Sequence, residues 1–297
     1  MLSFKPIELE DKTNFEIYTT CHGYHNLEAS FANIFIWRRA WNIKMATDDL
    51  SMYLHLSSGT ASFALPPFLD CCDESMEEPL KRYDEFFASR GEKPLLKGVT
   101  TEQKEKIERD CPGWYTFTAD RDNFEYIYNA QDLITLEGKK YHAKRNHINK
   151  FLKEHTYEYR RYTNADYDAC IALQERWMET KGEASQSYLN ELSAAKDALT
   201  HIDKLGLKCG MLYVDGSLEA YSIGEKFDDM AIIHFEKANP DIQGVFALIN
   251  REFASHEFSD VLYINREEDM GIEGLRKAKL SYYPLCLKEK FVGVRNI

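Results

Sequence analysis

Three clusters in this sequence carry residue types that could do chemistry. The run Glu267-Glu268-Asp269 follows an apolar segment that ends at Asn265, which puts carboxylates just beyond a strand end. There Glu268 or Asp269 could serve as general base or hold an acceptor ammonium. The same acids would equally well cap the helix expected over Ile272 to Leu280. Arg276 and Lys279 lie three apart on that helix, and Tyr282 and Tyr283 follow its end. A hydroxyl there, with Tyr282 the candidate, would protonate a leaving group.

The second cluster is Asn239-Pro-Asp-Ile-Gln-Gly-Val-Phe-Ala247, which leads from a strand into a helix. A helix start presents unpaired N–H groups and the positive end of the helix dipole, as a pyrophosphate requires. This makes Gln243, Gly244, Val245, Phe246 and Ala247 candidates, with Gly244 allowing close backbone approach. A plain turn, with Pro240 and Asp241 opening the helix, accounts for the same residues. The third cluster is basic: Lys139, Lys140, Lys144, Arg145, Lys150 and Lys153 carry no acid among them over about four helical turns. Lys140 and Lys144 share a face, as do Lys139, Asn146 and Lys150. Such density suits a phosphate-bearing ligand, or a solvated helix face.

The elements that must position these clusters follow from hydrophobic period. Alternation through Met52, Leu54 and Leu56, a turn at Ser57 to Thr60 and resumption at Ala61 to Leu65 predict a β-hairpin. A helix near Glu74 to Ser89, a strand at Pro94 to Lys97, a helix at Thr100 to Arg109 and a strand at Trp114 to Thr118 follow. The order then recurs. Strands at Lys208 to Val214, Ser217 to Lys226 and Met230 to Lys237 are expected. A helix at Ile242 to His256, a strand at Val261 to Asn265, a helix at Ile272 to Leu280 and a strand at Pro284 to Lys290 complete the second series. Helices at 139–153, 165–181 and 186–204, with a strand at 156–162, lie between. The third of these helices buries Tyr188, Leu192, Ala195, Leu199 and Ile202. The expectation is an α/β chain of two similar halves in tandem, residues 1–155 and 156–297.

Composition limits the function. The 297 residues suffice for two domains, and 44% apolar with 29% charged residues is ordinary for a globular protein. The N-terminus lacks a basic region followed by an apolar run, and the apolar stretch around Phe31 to Trp37 is far short of the roughly 18 residues of a membrane span. A cytoplasmic chain is therefore expected. The seven cysteines (Cys21, Cys71, Cys72, Cys111, Cys170, Cys209, Cys286) form no Cys-x-x-Cys pair. The histidines, His22 and His25 included, show no ligand spacing, so no metal is expected. Phosphate-loop, dinucleotide, zinc-helix and nucleophile-elbow motifs are absent. The net charge of −12 disfavours tRNA and anionic lipid unless a local basic patch offsets it.

The element order resembles the fold of the Gcn5-related N-acyltransferases (GNAT). There the loop from third strand to helix carries Gln/Arg-x-x-Gly-x-Gly/Ala and binds the pyrophosphate of coenzyme A. With Gly244 as the middle glycine, this chain has Asp241 in the first place and Phe246 in the last. The resemblance implies coenzyme A or acyl-CoA as carrier, its pantetheine arm beside His234, Phe235, Glu236 and Lys237. Segments 124–150 and 265–284 also resemble the family containing the C-terminal domain of phosphatidylglycerol lysyltransferases, tandem GNAT units related to the Fem peptidyltransferases. That resemblance implies an amino acid taken from aminoacyl-tRNA. Either way the expected reaction is transfer of an acyl or aminoacyl group from an activated carrier to an amine or hydroxyl, the net charge favouring acyl-CoA. Lys140, Lys144, Arg145, Arg276 and Lys279 would hold phosphate or substrate. A binding module that keeps the fold without catalysis is the alternative.

Overall fold

The computed structural model describes residues 2–21, 24, 26–49, 51–70, 75–179 and 185–296, without the side chains of Cys21 and Glu179. His22, His25, Cys71, Cys72, Glu74 and Lys181 lie outside them. The chain forms two compact units, 1–124 with 288–297, and 125–287.

In the first unit, β1 (Lys5–Pro6), α1 (Lys12–Cys21) and α2 (Phe31–Trp37) precede the antiparallel strands β2 (Lys44–Thr47), β3 (Ser51–Ser58) and β4 (Ala61–Ala64), with β5 (Phe68–Leu69) beside β3. Then come α3 (Glu77–Ser89), β6 (Leu95–Thr100), α4 (Thr101–Asp110) and β7 (Tyr115–Ala119). Met76, Leu80, Tyr83 and Phe87 are fully buried, so α3 lays the expected apolar stripe on the sheet.

The second unit opens with β8 (Glu125–Asn129), α5 (Ala130–Thr135) and α6 (His142–Glu154), then β9 (Tyr157–Arg161), α7 (Tyr167–Glu179), α8 (Gln186–Thr200) and α9 (Ile202–Leu205). The antiparallel strands β10 (Leu207–Val214), β11 (Ser217–Phe227) and β12 (Met230–Ala238) follow. Between β10 and β11 the two-residue turn Asp215-Gly216 has φ of +50° and +90°, which suits the right-handed twist of a hairpin. After α10 (Val245–Glu257), β13 (Tyr263–Asn265) pairs parallel with β12, and α11 (Glu273–Leu280) leads to β14 (Cys286–Lys288). The last strand, β15 (Lys290–Arg295), belongs to the first sheet.

The first sheet runs β1-β2-β3-β4-β6-β15-β7 and the second β9-β10-β11-β12-β13-β8-β14. They match position for position: a meander, one parallel neighbour (β6 or β13), then a strand from the other half of the sequence. β15 is antiparallel to β6 and β7, and β8 is antiparallel to β13. The repeated element order is thus present, but the units do not divide at residue 155. The expected boundary falls inside the second unit, because β8 joins its sheet and the apolar faces of α5 and α6 share a core with α10 (Leu133, Ile148, Phe151, Leu248).

Candidate functional site

The site lies in the second unit, where β12 and β13 part. Their parallel ladder has only Met230↔Tyr263, Ala231↔Ile264 and Ile232↔Asn265. Beyond it, β12 continues for six residues while β13 ends and the loop 266–271 begins. On its other side β12 carries a bulge: Phe235 faces Ile223 and Ile233 faces Gly224, leaving His234 as the additional residue. Gly224 is required there, since an added Cβ would come within 2.5 Å of the Ile232 carbonyl oxygen.

Side chains bridge the gap that results. His234 is buried, with Nδ1 2.8 Å from Glu267 and Nε2 3.1 Å from Glu225. Burial works against an imidazolium, but the two carboxylates outweigh it and hold the pKa up to about 9. Next along the strand, Glu236 accepts from Arg266 Nη2 at 2.8 Å and from Asn250 Nδ2 at 3.0 Å. This leaves two polar atoms buried without partners among the described residues, the donor Arg266 Nη1 and the acceptor Asn250 Oδ1. Buried polar atoms are seldom left so. The Arg266 guanidinium also lies 4.8 Å from the ring centre of Tyr282 and 5.8 Å from that of Tyr128. Lys144 of α6 joins this cluster, its Nζ 3.8 Å from the Tyr282 ring centre. Burial and the nearby Arg266 lower its pKa to about 8, against the pull of Glu236.

The loop that carries Arg266 is tied down from below. Lys279 donates to the carbonyls of Arg266 and Glu268, and burial lowers its pKa. Asp269 is fully buried and accepts from Arg276 Nε at 2.9 Å, Arg276 Nη2 at 2.8 Å, Tyr126 at 2.6 Å and the Gly271 N–H at 2.9 Å. These bonds overcome its desolvation and hold its carboxyl far below the usual range. Tyr282 is buried with its hydroxyl pKa raised by that burial, and its carbonyl accepts from Tyr141 at 3.0 Å.

The residues singled out in the sequence are therefore sorted by the fold. Lys144, Tyr282 and Glu236 come together around Arg266, while His234, two residues before Glu236 on β12, bonds Glu225 and Glu267. Asp269, Arg276 and Lys279 brace the loop, so Asp269 is a structural anchor and not a base poised at neutral pH. Glu268 shares this loop. Lys140 pairs with Asp132 at 3.0 Å, and Arg145 donates to the carbonyls of Leu136 and Gly138. Phe235 and Lys237 belong to the other face, where Lys237 bonds Glu191 at 2.6 Å and lies 3.9 Å from the Trp177 ring centre.

At the helix start, Gln243 bonds Lys150 at 2.6 Å, and Val245 and Ala247 are buried while Phe246 is exposed. Gly244, at φ +95°, has α6 against it: an added Cβ would lie 2.5 Å from the His147 carbonyl oxygen. The loop before it, Asn239 to Asp241, lines a cavity of about 430 Å3 with Leu173, Arg176, Trp177 and Ala238. Sequence reading missed Arg266, Asn250 and Tyr128. Basic and acidic residues are interspersed from 266 to 279, so residue type alone does not show which arginine faces the gap.

Residues 22–292 match the family described as phosphatidylglycerol lysyltransferase, C-terminal. The chain belongs to that family. A protein of unknown function from Bacteroides thetaiotaomicron is 33% identical, with a TM-score of 0.91 over 100% of both chains. The C-terminal domain of a putative lysylphosphatidylglycerol synthetase from Agrobacterium fabrum superposes at TM-score 0.69 with 10% identity, covering 98% of this chain and 93% of that one. A tandem GNAT protein from the clavulanic acid biosynthesis pathway does so at 0.54 with 10% identity, covering 100% and 98%. An uncharacterised Mycoplasmoides gallisepticum protein is 24% identical over 171 residues, 56% of this chain, and the chain spans 54% of that relative's length. The expected tandem GNAT fold is thereby borne out, and family and fold together point to acyl or aminoacyl transfer. Among the described residues of this family member, no helix is long and apolar enough to cross a membrane, and no cluster of His, Cys, Asp and Glu is built to hold a metal.

Proposed function

We propose that this chain transfers an aminoacyl group, carried as an ester on tRNA, to an amine or hydroxyl acceptor, with the aminoacyl end at the Lys144–Arg266–Tyr282 cluster. The filled gap between β12 and β13 supports this donor over acyl-coenzyme A. A pantetheine arm beside His234 to Lys237 would have to open the Glu236–Arg266 pair at 2.8 Å and the His234–Glu267 pair at 2.8 Å. Separating buried charge pairs costs several kcal/mol. An aminoacyl ester asks for something else, an anion near its ammonium and a donor at its carbonyl. Glu236, Asn250 Oδ1 and Arg266 Nη1 supply these in one place. The Lys139 to Lys153 run offsets the acidic chain locally for a polyanion. This transfer needs no covalent enzyme intermediate: the ester is already activated, and positioning with proton transfer suffices.

The family description names a lysyl group and phosphatidylglycerol, so lysyl-tRNA and that lipid are the first donor and acceptor to test. The experiment compares binding of aminoacyl-tRNA and of acetyl-coenzyme A between low and physiological salt, with transfer of labelled amino acid as the second readout. A steep salt slope for tRNA, no saturable coenzyme A binding and label passing to an acceptor are expected. Saturable coenzyme A binding without tRNA binding would return the reading to an acyl-CoA enzyme.

A further inference from the structure

We infer that Lys144 is the general base of this transfer, taking the proton of the attacking acceptor, while Arg266 Nη1 holds the oxygen that becomes negative. The inference rests on the acyl-transfer reading above and assigns the group that moves the proton.

Geometry separates Lys144 from the other cations of the site. Lys279 is spent on two carbonyls, Arg276 on Asp269, Arg145 on Leu136 and Gly138, and Lys140 on Asp132. Lys144 Nζ has no carboxylate and no hydrogen bond among the described residues; it rests over Tyr282 at 3.8 Å. The groups facing it are Arg266 from the loop after β13, Glu236 from β12 and the Tyr282 ring after α11. Glu236 is already engaged by Arg266 and Asn250, so it compensates Lys144 only in part. Burial beside a like charge drives the amine toward its neutral form, with a pKa of about 8.

Three other candidates are closed by their own contacts. Both His234 nitrogens are occupied and its imidazolium is favoured. Asp269 accepts four hydrogen bonds. The Tyr282 hydroxyl is harder to deprotonate than an ordinary phenol.

In the step itself the acceptor N or O bonds to the ester carbonyl carbon and its proton passes to Nζ. The carbonyl oxygen takes the negative charge opposite Arg266 Nη1. Collapse breaks the ester C–O bond, and the ammonium of Lys144 returns the proton to the leaving oxygen. The products are the acylated acceptor and a free ribose hydroxyl, with the lysine neutral again.

Two measurements test this. The first needs no substrate: competitive acetylation of the folded protein with acetic anhydride across pH, read peptide by peptide by mass spectrometry. Lys144 should reach half-reactivity near pH 8, against the ~10.4 of an ordinary lysine. Arg266→Gln should raise that midpoint and Glu236→Gln should lower it. The second is transfer by Lys144→Arg and Lys144→Gln, with folding checked by thermal melting. Turnover should fall about 10²-fold or more while KM in Lys144→Arg stays within a few-fold, and the acid limb of kcat should vanish. Full turnover in Lys144→Arg, or a labelling midpoint of an ordinary lysine, overturns the assignment. A wild type that transfers nothing overturns the functional reading and the base with it.

Discussion

Gly244 lies where the sequence suggests a phosphate cradle, yet the nearest atoms to an added Cβ belong to His147 and Phe151 of α6. Gly244→Val is therefore expected to loosen the packing of α6 on α10 and lower the melting temperature with or without a carrier. A fall in carrier affinity in that variant would follow from the displaced helix. Asp269→Asn removes the buried charge that the half-buried Arg276 pairs with and is expected to cost about 1–3 kcal/mol of stability in denaturant titration. His234 gives a pH signature. Its folded pKa of about 9 lies above an unfolded value of ~6.5. Its contribution to stability is fully present below the unfolded value and is lost as pH rises through the folded one. Chemical denaturation between pH 6 and 10 should show this decline, and His234→Gln should flatten it. The basic and acidic clusters were legible from residue type alone. Which members meet was not, because Asn250 and Arg266 lie 14 and 30 positions from Glu236 and only the fold joins them.

Strands β10 and β11 were legible because Asp215-Gly216 marks the turn between them, and β12 because Met230-Ala-Ile-Ile233 is a short apolar run. Helix α3 was legible from its 3.6-residue stripe. The N-terminal α1 and α2 were not assigned. α2 is buried almost all round, so its Phe31–Trp37 run carries no helical period. Strand β8 also escaped, since Tyr126, Ile127 and Tyr128 are buried in sequence and so lack alternation. The bulge in β12 is the element that turns His234 into the gap, and it depends on Gly224. Gly224→Val, whose Cβ would meet the Ile232 carbonyl, is expected to shift the register of β12 by removing the bulge. The check is the histidine NMR titration, in which the high pKa of His234 should disappear.

The tandem order of elements was legible at the scale of the whole chain, and the exchange of β8 and β15 between the two sheets was not. Nothing local distinguishes a strand that pairs at home from one that pairs in the other half, for both need only the same apolar residues. The pairing partners set an order of completion. Residues 125–287 contain every strand of the second sheet except the end of β14, whereas the first sheet needs Phe291 opposite Ala119. A chain ending at residue 287 should keep the cooperative melting of the second unit and lose that of the first, as calorimetry can show. During synthesis the half made first is then the half finished last. Its sheet waits with β6 and β7 unjoined until more than 170 further residues have emerged, since loop closure must precede their pairing. Through that interval the edge of β6 and the whole of β7 stand open to other chains, and a chaperone or slow translation would matter most there.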